Sequence, residues 1–133
     1  MKKYNYLVAM MIFVLGLSSS LSIAQTDDFE LVSKIIKIGN AKDLVKQFHT
    51  TVELNIDGKE ASYSKSQAEA VLKNFFSKNP PTAFTINHKG ASKSGLPYAI
   101  GQYKNDLGNY RVLIRLKEVN GKNLINKISF FKE

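Results

Sequence analysis

Apolar and polar positions alternate most cleanly between residues 110 and 131. Tyr110, Val112, Ile114 and Leu116 share one face of an extended segment, with Arg111, Leu113, Arg115 and Lys117 on the other, the period of a half-buried antiparallel strand. A second segment carries Leu124, Ile128 and Phe130, and Val119-Asn120-Gly121 lies between the two. Parity then constrains the turn. A two-residue Asn-Gly turn would set Ile114 against Lys127 and Val112 against Ser129, turning one apolar face outward. A three-residue loop with a bulge at Gly121 would instead pair Leu116 with Leu124, Val112 with Ile128 and Tyr110 with Phe130, so that loop is expected.

Upstream, the pattern switches between helical and extended periods. Asp27 and Asp28 precede Phe29, Leu31, Val32, Ile35, Ile36 and Ile38, a helical stripe whose leading acids suit the N-terminal dipole. Gly39 ends it, and Asn40 is placed to cap a second helix carrying Ala41, Leu44, Val45 and Phe48. Val52, Leu54 and Ile56 then alternate with Thr51, Glu53 and Asn55, and Asp57-Gly58 reads as a tight turn into a short strand over residues 60–63. Ser64 and Gln67 have the spacing of a capping box before a third helix with Ala68, Val71, Leu72, Phe75 and Phe76 on one face. Asn79-Pro80-Pro81 stops that helix, because proline lacks the amide proton and restricts the residue before it.

Two more strands follow. Phe84, Ile86 and His88 fall on one face of the first. After a loop over residues 89–97, Tyr98, Ile100 and Gln102 alternate with Ala99, Gly101 and Tyr103. Gly101 inside a strand suggests a bulge or a strong bend. Residues 106–109 form a turn into the segment beginning at Tyr110. The element order ααββαββββ predicts an α+β fold with three helices packed on one face of a curved antiparallel sheet.

The N-terminus changes what counts as the folded domain. Residues 1–24 contain two lysines, an apolar run from Leu7 to Leu17, the run Ser18-Ser19-Ser20 and a small-residue site at Ser22-Ile23-Ala24, the layout of a secretory signal peptide cleaved before Gln25. The apolar run is about half of the ~20 residues a membrane span needs, so no stable anchor is expected after cleavage. Residues 25–133 then form one domain, free in the periplasm or outside the cell. The chain contains no cysteine, so it has neither disulfides nor the acylated cysteine of a bacterial lipoprotein.

The formal charge is +8 and falls to +6 when Lys2 and Lys3 leave with the signal. A basic balance can mark a nucleic-acid binder, but the lysines are scattered along the chain and an exported protein meets little nucleic acid. No nucleic-acid partner is expected. Scattered lysines read first as a solvated surface, with anionic glycans, phospholipid headgroups or an acidic protein partner left open; a small molecule or an envelope protein is the partner class this leaves.

The helix, helix, hairpin, helix, four-strand order resembles the cone-shaped, cystatin-like fold of the nuclear-transport-factor-two-like superfamily, which includes ketosteroid isomerases and many binding or dimerisation modules. More closely, residues 88–92 (His-Lys-Gly-Ala-Ser), 95–101 (Gly-Leu-Pro-Tyr-Ala-Ile-Gly) and 110–112 (Tyr-Arg-Val) are similar to a family of secreted Bacteroidetes proteins catalogued as a domain of unknown function, number 4783. That family has no assigned activity. The superfamily likeness implies a pocket between the helices and the inward sheet face, and the strand pattern would line it with His88, Tyr98, Gln102 and Tyr110. The opposite face, with Tyr103, Arg111, Leu113, Arg115, Ile125 and Phe131, is too apolar for a solvated surface and is the expected face of a homodimer.

Catalytic chemistry finds little support. An isomerase or dehydratase needs a base aimed into an apolar cavity and an acid for the developing oxyanion, yet the inward strand positions supply no clear carboxylate. His88 with Tyr98 or Tyr110 is the one alternative set. His49 and His88 are the only histidines, without metal-ligand spacing, so no metal is expected. Ser92 and Ser94 lack a nucleophile elbow, and the stretch from Gly90 to Gly95 lacks the ending of a phosphate loop, so no cofactor is implied. The pattern favours an exported, non-catalytic binding or interaction module with a small pocket.

Overall fold

A computed structural model describes residues 28–133. The signal peptide expected at residues 1–24 and the helix-leading Asp27 lie outside the described residues. Three helices, α1 (Asp28–Ile38), α2 (Ala41–Val45) and α3 (Lys65–Lys78), pack on a sheet of six strands. The strands are β1 (Phe48–Ile56), β2 (Lys59–Ser64), β3 (Ala83–Ala91), β4 (Pro97–Asn105), β5 (Gly108–Val119) and β6 (Lys122–Lys132). They are ordered β2-β1-β6-β5-β4-β3, with every neighbouring pair antiparallel except β1 and β6. The expected α+β order and curved sheet are present, with one parallel pairing in the middle.

Local signals act where the pattern places them. Asn40 accepts from the Asp43 amide at 3.0 Å and caps α2. That helix ends at Val45, and Phe48 opens β1 instead of continuing the helical stripe. Ser64 and Gln67 form the reciprocal capping box of α3. Leu31 and Ile38 lie off the buried stripe of α1, which presents Phe29, Val32, Ile35 and Ile36 to the core. The interior is aromatic where α3 meets the sheet, with Phe75 packing at 4.6 Å from Phe130 and 5.1 Å from Tyr110.

The hairpin of β5 and β6 corrects the expected turn. Val119 pairs with Lys122, so the loop has two residues, and both Asn120 (φ 52°) and Gly121 (φ 79°) take left-handed conformations, as a type I′ turn requires. Parity is restored further along. Leu116 pairs with Ile125 and Arg115 with Lys127, so Asn126 is an extra, unpaired residue. Past this bulge Ile114 faces Ile128 and Val112 faces Phe130. The same device explains why Ile125 is fully buried in the core, not on the outer face expected of it.

The faces of β4 are likewise reversed. Ala99, Gly101 and Tyr103 point at the helices and are buried, while Tyr98, Ile100 and Gln102 point away. Gly101 makes no bulge: it pairs regularly with Ile86 and Val112. The irregularity lies on β3, where Asn87 is the extra residue between the Ile86–Gly101 and His88–Ile100 pairs. That bulge leaves Phe84 and Ile86 on the helix side and turns His88 to the other.

Candidate functional site

Three of the four expected pocket residues stand outside the pocket. His88 is exposed on the outer face and its Nε2 is 3.2 Å from the Tyr98 hydroxyl. Gln102, on the same face, donates from Nε2 to Glu133 Oε2 at 2.8 Å. Only Tyr110 faces inward, where it is 7% exposed. The structure therefore joins His88 to Tyr98 and separates both from Tyr110 by the thickness of the sheet.

The residues expected on the dimer face also divide. Tyr103 and Ile125 are fully buried among core side chains. Arg111, Leu113, Arg115 and Phe131 lie on the outer face, where Leu113 pairs with Ile100 and the Arg111 guanidinium stands 5.8 Å from the centre of the Phe131 ring. Arg115 approaches Glu53 at 3.6 Å, and Lys127 bridges Glu53 and Glu60.

A cavity of about 410 Å³ opens between α3 and the β1–β2 hairpin. β2, the edge strand of the sheet, forms part of its wall. Of the β2 residues only Tyr63 is even half-buried, whereas Val52 and Leu54 of β1 are buried. From α3 come Val71, Asn74, Phe75 and Lys78, one stripe at the spacing i, i+3, i+4, i+7. From the hairpin come Leu54, Ile56, Asp57, Lys59 and Tyr63, and Tyr110 and Asn79 complete the wall. Leu54, Phe75 and Tyr110 are buried and give the cavity an apolar floor.

The polar side of the wall has two parts. One is tied down: the Tyr110 hydroxyl donates to Asn79 Oδ1 at 3.4 Å, and Asn79 Nδ2 donates to the Phe75 carbonyl at 3.2 Å. Behind it the Tyr103 hydroxyl donates to the Asn79 carbonyl. Burial, with the neighbouring Tyr110 adding to it, pushes the Tyr103 phenol well above the ordinary tyrosine range, so it stays a donor. The other part is uncommitted. The side chains of Lys59, Lys78, Asn74, Tyr63 and Asp57 make no hydrogen bond or ion pair among the described residues.

Sequence reasoning found Tyr110 and missed the rest of this wall. The available signal was the α3 stripe, in which Asn74 and Lys78 interrupt positions that would carry apolar residues if the helix were sealed against the sheet. Among the described residues no group of three His, Asp or Glu side chains is placed to hold a metal ion. No described helix is long and apolar enough to cross a membrane.

A helical layer over a curved six-stranded sheet, with a cavity beside α3, is the layout of the nuclear-transport-factor-two-like fold. The chain belongs to the family described as Domain of unknown function (DUF4783), whose model matches residues 29–130. A DUF4783 protein from Bacteroides ovatus is 31% identical, with a TM-score of 0.72 over 77% of this chain and 92% of that one. Another from Bacteroides uniformis is 30% identical, with a TM-score of 0.75 over 80% and 98%. A de novo designed protein with a curved β-sheet, 11% identical, shares the fold alone, with a TM-score of 0.61 over 77% and 96%. No curated protein matches the sequence.

Proposed function

We propose that this chain is an exported, non-catalytic binding module whose ligand enters the cavity between α3 and the β1–β2 hairpin. The observation that carries this reading is an apolar floor of Leu54, Phe75 and Tyr110 beneath a rim of uncommitted polar side chains. Apolar walls with a few convergent polar groups are the usual composition of small-molecule sites, and about 410 Å³ falls at the lower end of their size range of roughly 300–1,000 Å³. The leader-like residues 1–24 support export. The test is the fluorescence of N-phenyl-1-naphthylamine, a neutral apolar probe, with the purified protein. Saturable enhancement that is lost in Val71→Trp or Asn74→Trp, both folded by circular dichroism, supports the reading. No enhancement, or enhancement unchanged in both variants, overturns it.

An isomerase or dehydratase alternative would have to use His88 with Tyr98, whose side chains are 3.2 Å apart on the outer face, because Tyr110 lies on the other side of the sheet. A homodimer through the outer face is a second, compatible reading. It rests on the half-buried neighbours Ile100, Leu113 and Phe131, which form an apolar strip beside Arg111. Sedimentation equilibrium tests it: a dimer that dissociates in Leu113→Asp supports the reading, and a monomer at high concentration removes it.

A further inference from the structure

We infer that the cavity selects an aromatic carboxylate, a flat apolar body carrying one anionic head; this rests on the cavity being the binding site proposed above. The body follows from the walls. Phe75, Tyr63 and Tyr110 present three rings around the space, and Leu54, Ile56 and Val71 fill the gaps between them. Such a lining favours a planar guest, because rings gain offset or edge-to-face contacts that an alkyl chain does not make.

The head follows from the balance of donors and acceptors at the rim. Lys59, Lys78, the Asn74 amide and the Tyr63 hydroxyl all offer hydrogens with no acceptor among the described residues. Asp57 is the one carboxylate of the lining, which leaves the wall one positive charge in excess. Some lysines of the described surface find carboxylates, Lys34 with Glu30, Lys46 with Asp43, and Lys127 with Glu53 and Glu60, whereas Lys59 and Lys78, like Lys37 and Lys73, do not. Lys59 opens β2 and Lys78 closes α3, so the two ammonium groups reach one opening from separate elements.

Lys78 also offsets the C-terminal dipole of its helix. That role accounts for one lysine and for neither Lys59, Asn74 nor Tyr63. Lys59, Asn74 and Lys78 are exposed, so water serves their donors beside a neutral guest, whereas a carboxylate provides two oxygens that accept from them directly, with room for several hydrogen bonds. Charge-assisted bonds of this kind are about twice as strong as neutral ones. Asp57 sets the upper limit on charge: beside a carboxylate, a single anion is favoured over a dianion such as a phosphate monoester.

The experiment is displacement of N-phenyl-1-naphthylamine from the purified protein by four compounds sharing one body: 2-naphthoate, 2-naphthamide, 2-naphthylmethylamine and 2-naphthyl phosphate. The expected order places 2-naphthoate first, at a concentration about tenfold below the amide. Lys59→Gln and Lys78→Gln should each erode that advantage, and the double variant should abolish it while still binding the neutral probe. Asp57→Asn should improve 2-naphthyl phosphate more than 2-naphthoate. An amide or amine that displaces as well as the carboxylate, or an advantage that survives the double lysine variant, overturns the ligand class while the cavity reading stands. A protein that never binds the neutral probe overturns both.

Discussion

Phe84 lies across Gly101 so closely that a Cβ added to the glycine would sit 2.6 Å from the Phe84 Cζ and 3.0 Å from the carbonyl oxygen of Thr85. The glycine is part of the core's shape: it is the missing side chain into which the Phe84 ring fits. Gly101→Ala should therefore cost about 1–3 kcal/mol, the usual range for overpacking. Because a backbone oxygen contributes to the clash, Phe84→Leu in the same chain should recover only part of the loss. Urea unfolding of the two single variants and the double variant checks this, and fully additive costs would count against it.

A glycine in open space should respond differently. Gly121 has a φ of 79° and nothing within 4 Å of a built Cβ, so its requirement is conformational. Gly121→Ala should destabilise by about 1–2 kcal/mol, and Gly121→Asn by less, since asparagine tolerates the left-handed region. Thermal melts that rank the two variants equally would show that the turn is not held as described.

Tyr103 gives a pH dependence with a defined sign. Its phenol is buried and pushed up in the folded state, while in the unfolded chain it ionises at about 10. Above that pH the folded state binds more protons than the unfolded one, so stability is intact below pH ~10 and falls as pH rises further. Tyr103→Phe should lose about 1 kcal/mol at neutral pH with the bond to Asn79 but decline less steeply in alkali. Parallel stability curves for the two proteins would refute the assignment.

The start of α3 offers a smaller test. Ser64 accepts from the Gln67 amide at 3.4 Å, and Gln67 Oε1 accepts from the Ser64 amide at 3.1 Å. Ser64→Ala should cost about 1 kcal/mol in chemical denaturation. Ser64→Asp should cost less, keeping an acceptor and adding charge at the helix N-terminus.

The sequence made the element order legible because each helix carries its own start or stop: Asn40, the Ser64–Gln67 pair and the prolines after Asn79. It made the inward face of β5 legible because four large apolar residues alternate without interruption from Tyr110 to Leu116. It failed wherever a strand contains an extra residue. Asn87 and Asn126 each shift the count by one, so a regular alternation misplaces His88 and Ile125, and nothing in either asparagine announces a bulge. On β4 both faces mix polar and apolar residues, so alternation alone does not say which faces the helices; Phe84 packing against Gly101 is a tertiary contact. The cavity was illegible for another reason: it depends on the gap between a helix and an edge hairpin, a distance that no single segment encodes.

The parallel pairing of β1 with β6 has a consequence for how the chain acquires its shape. The strand lying between β1 and β5 is the last one in the sequence, so the sheet cannot close from its N-terminal end as the polypeptide emerges. The β1–β2 hairpin and the β3–β5 meander can each form early, but they are joined only when residues 122–132 arrive to pair with both. Such late, non-local closure slows folding and keeps the two halves unfused until residues 122–132 have been made.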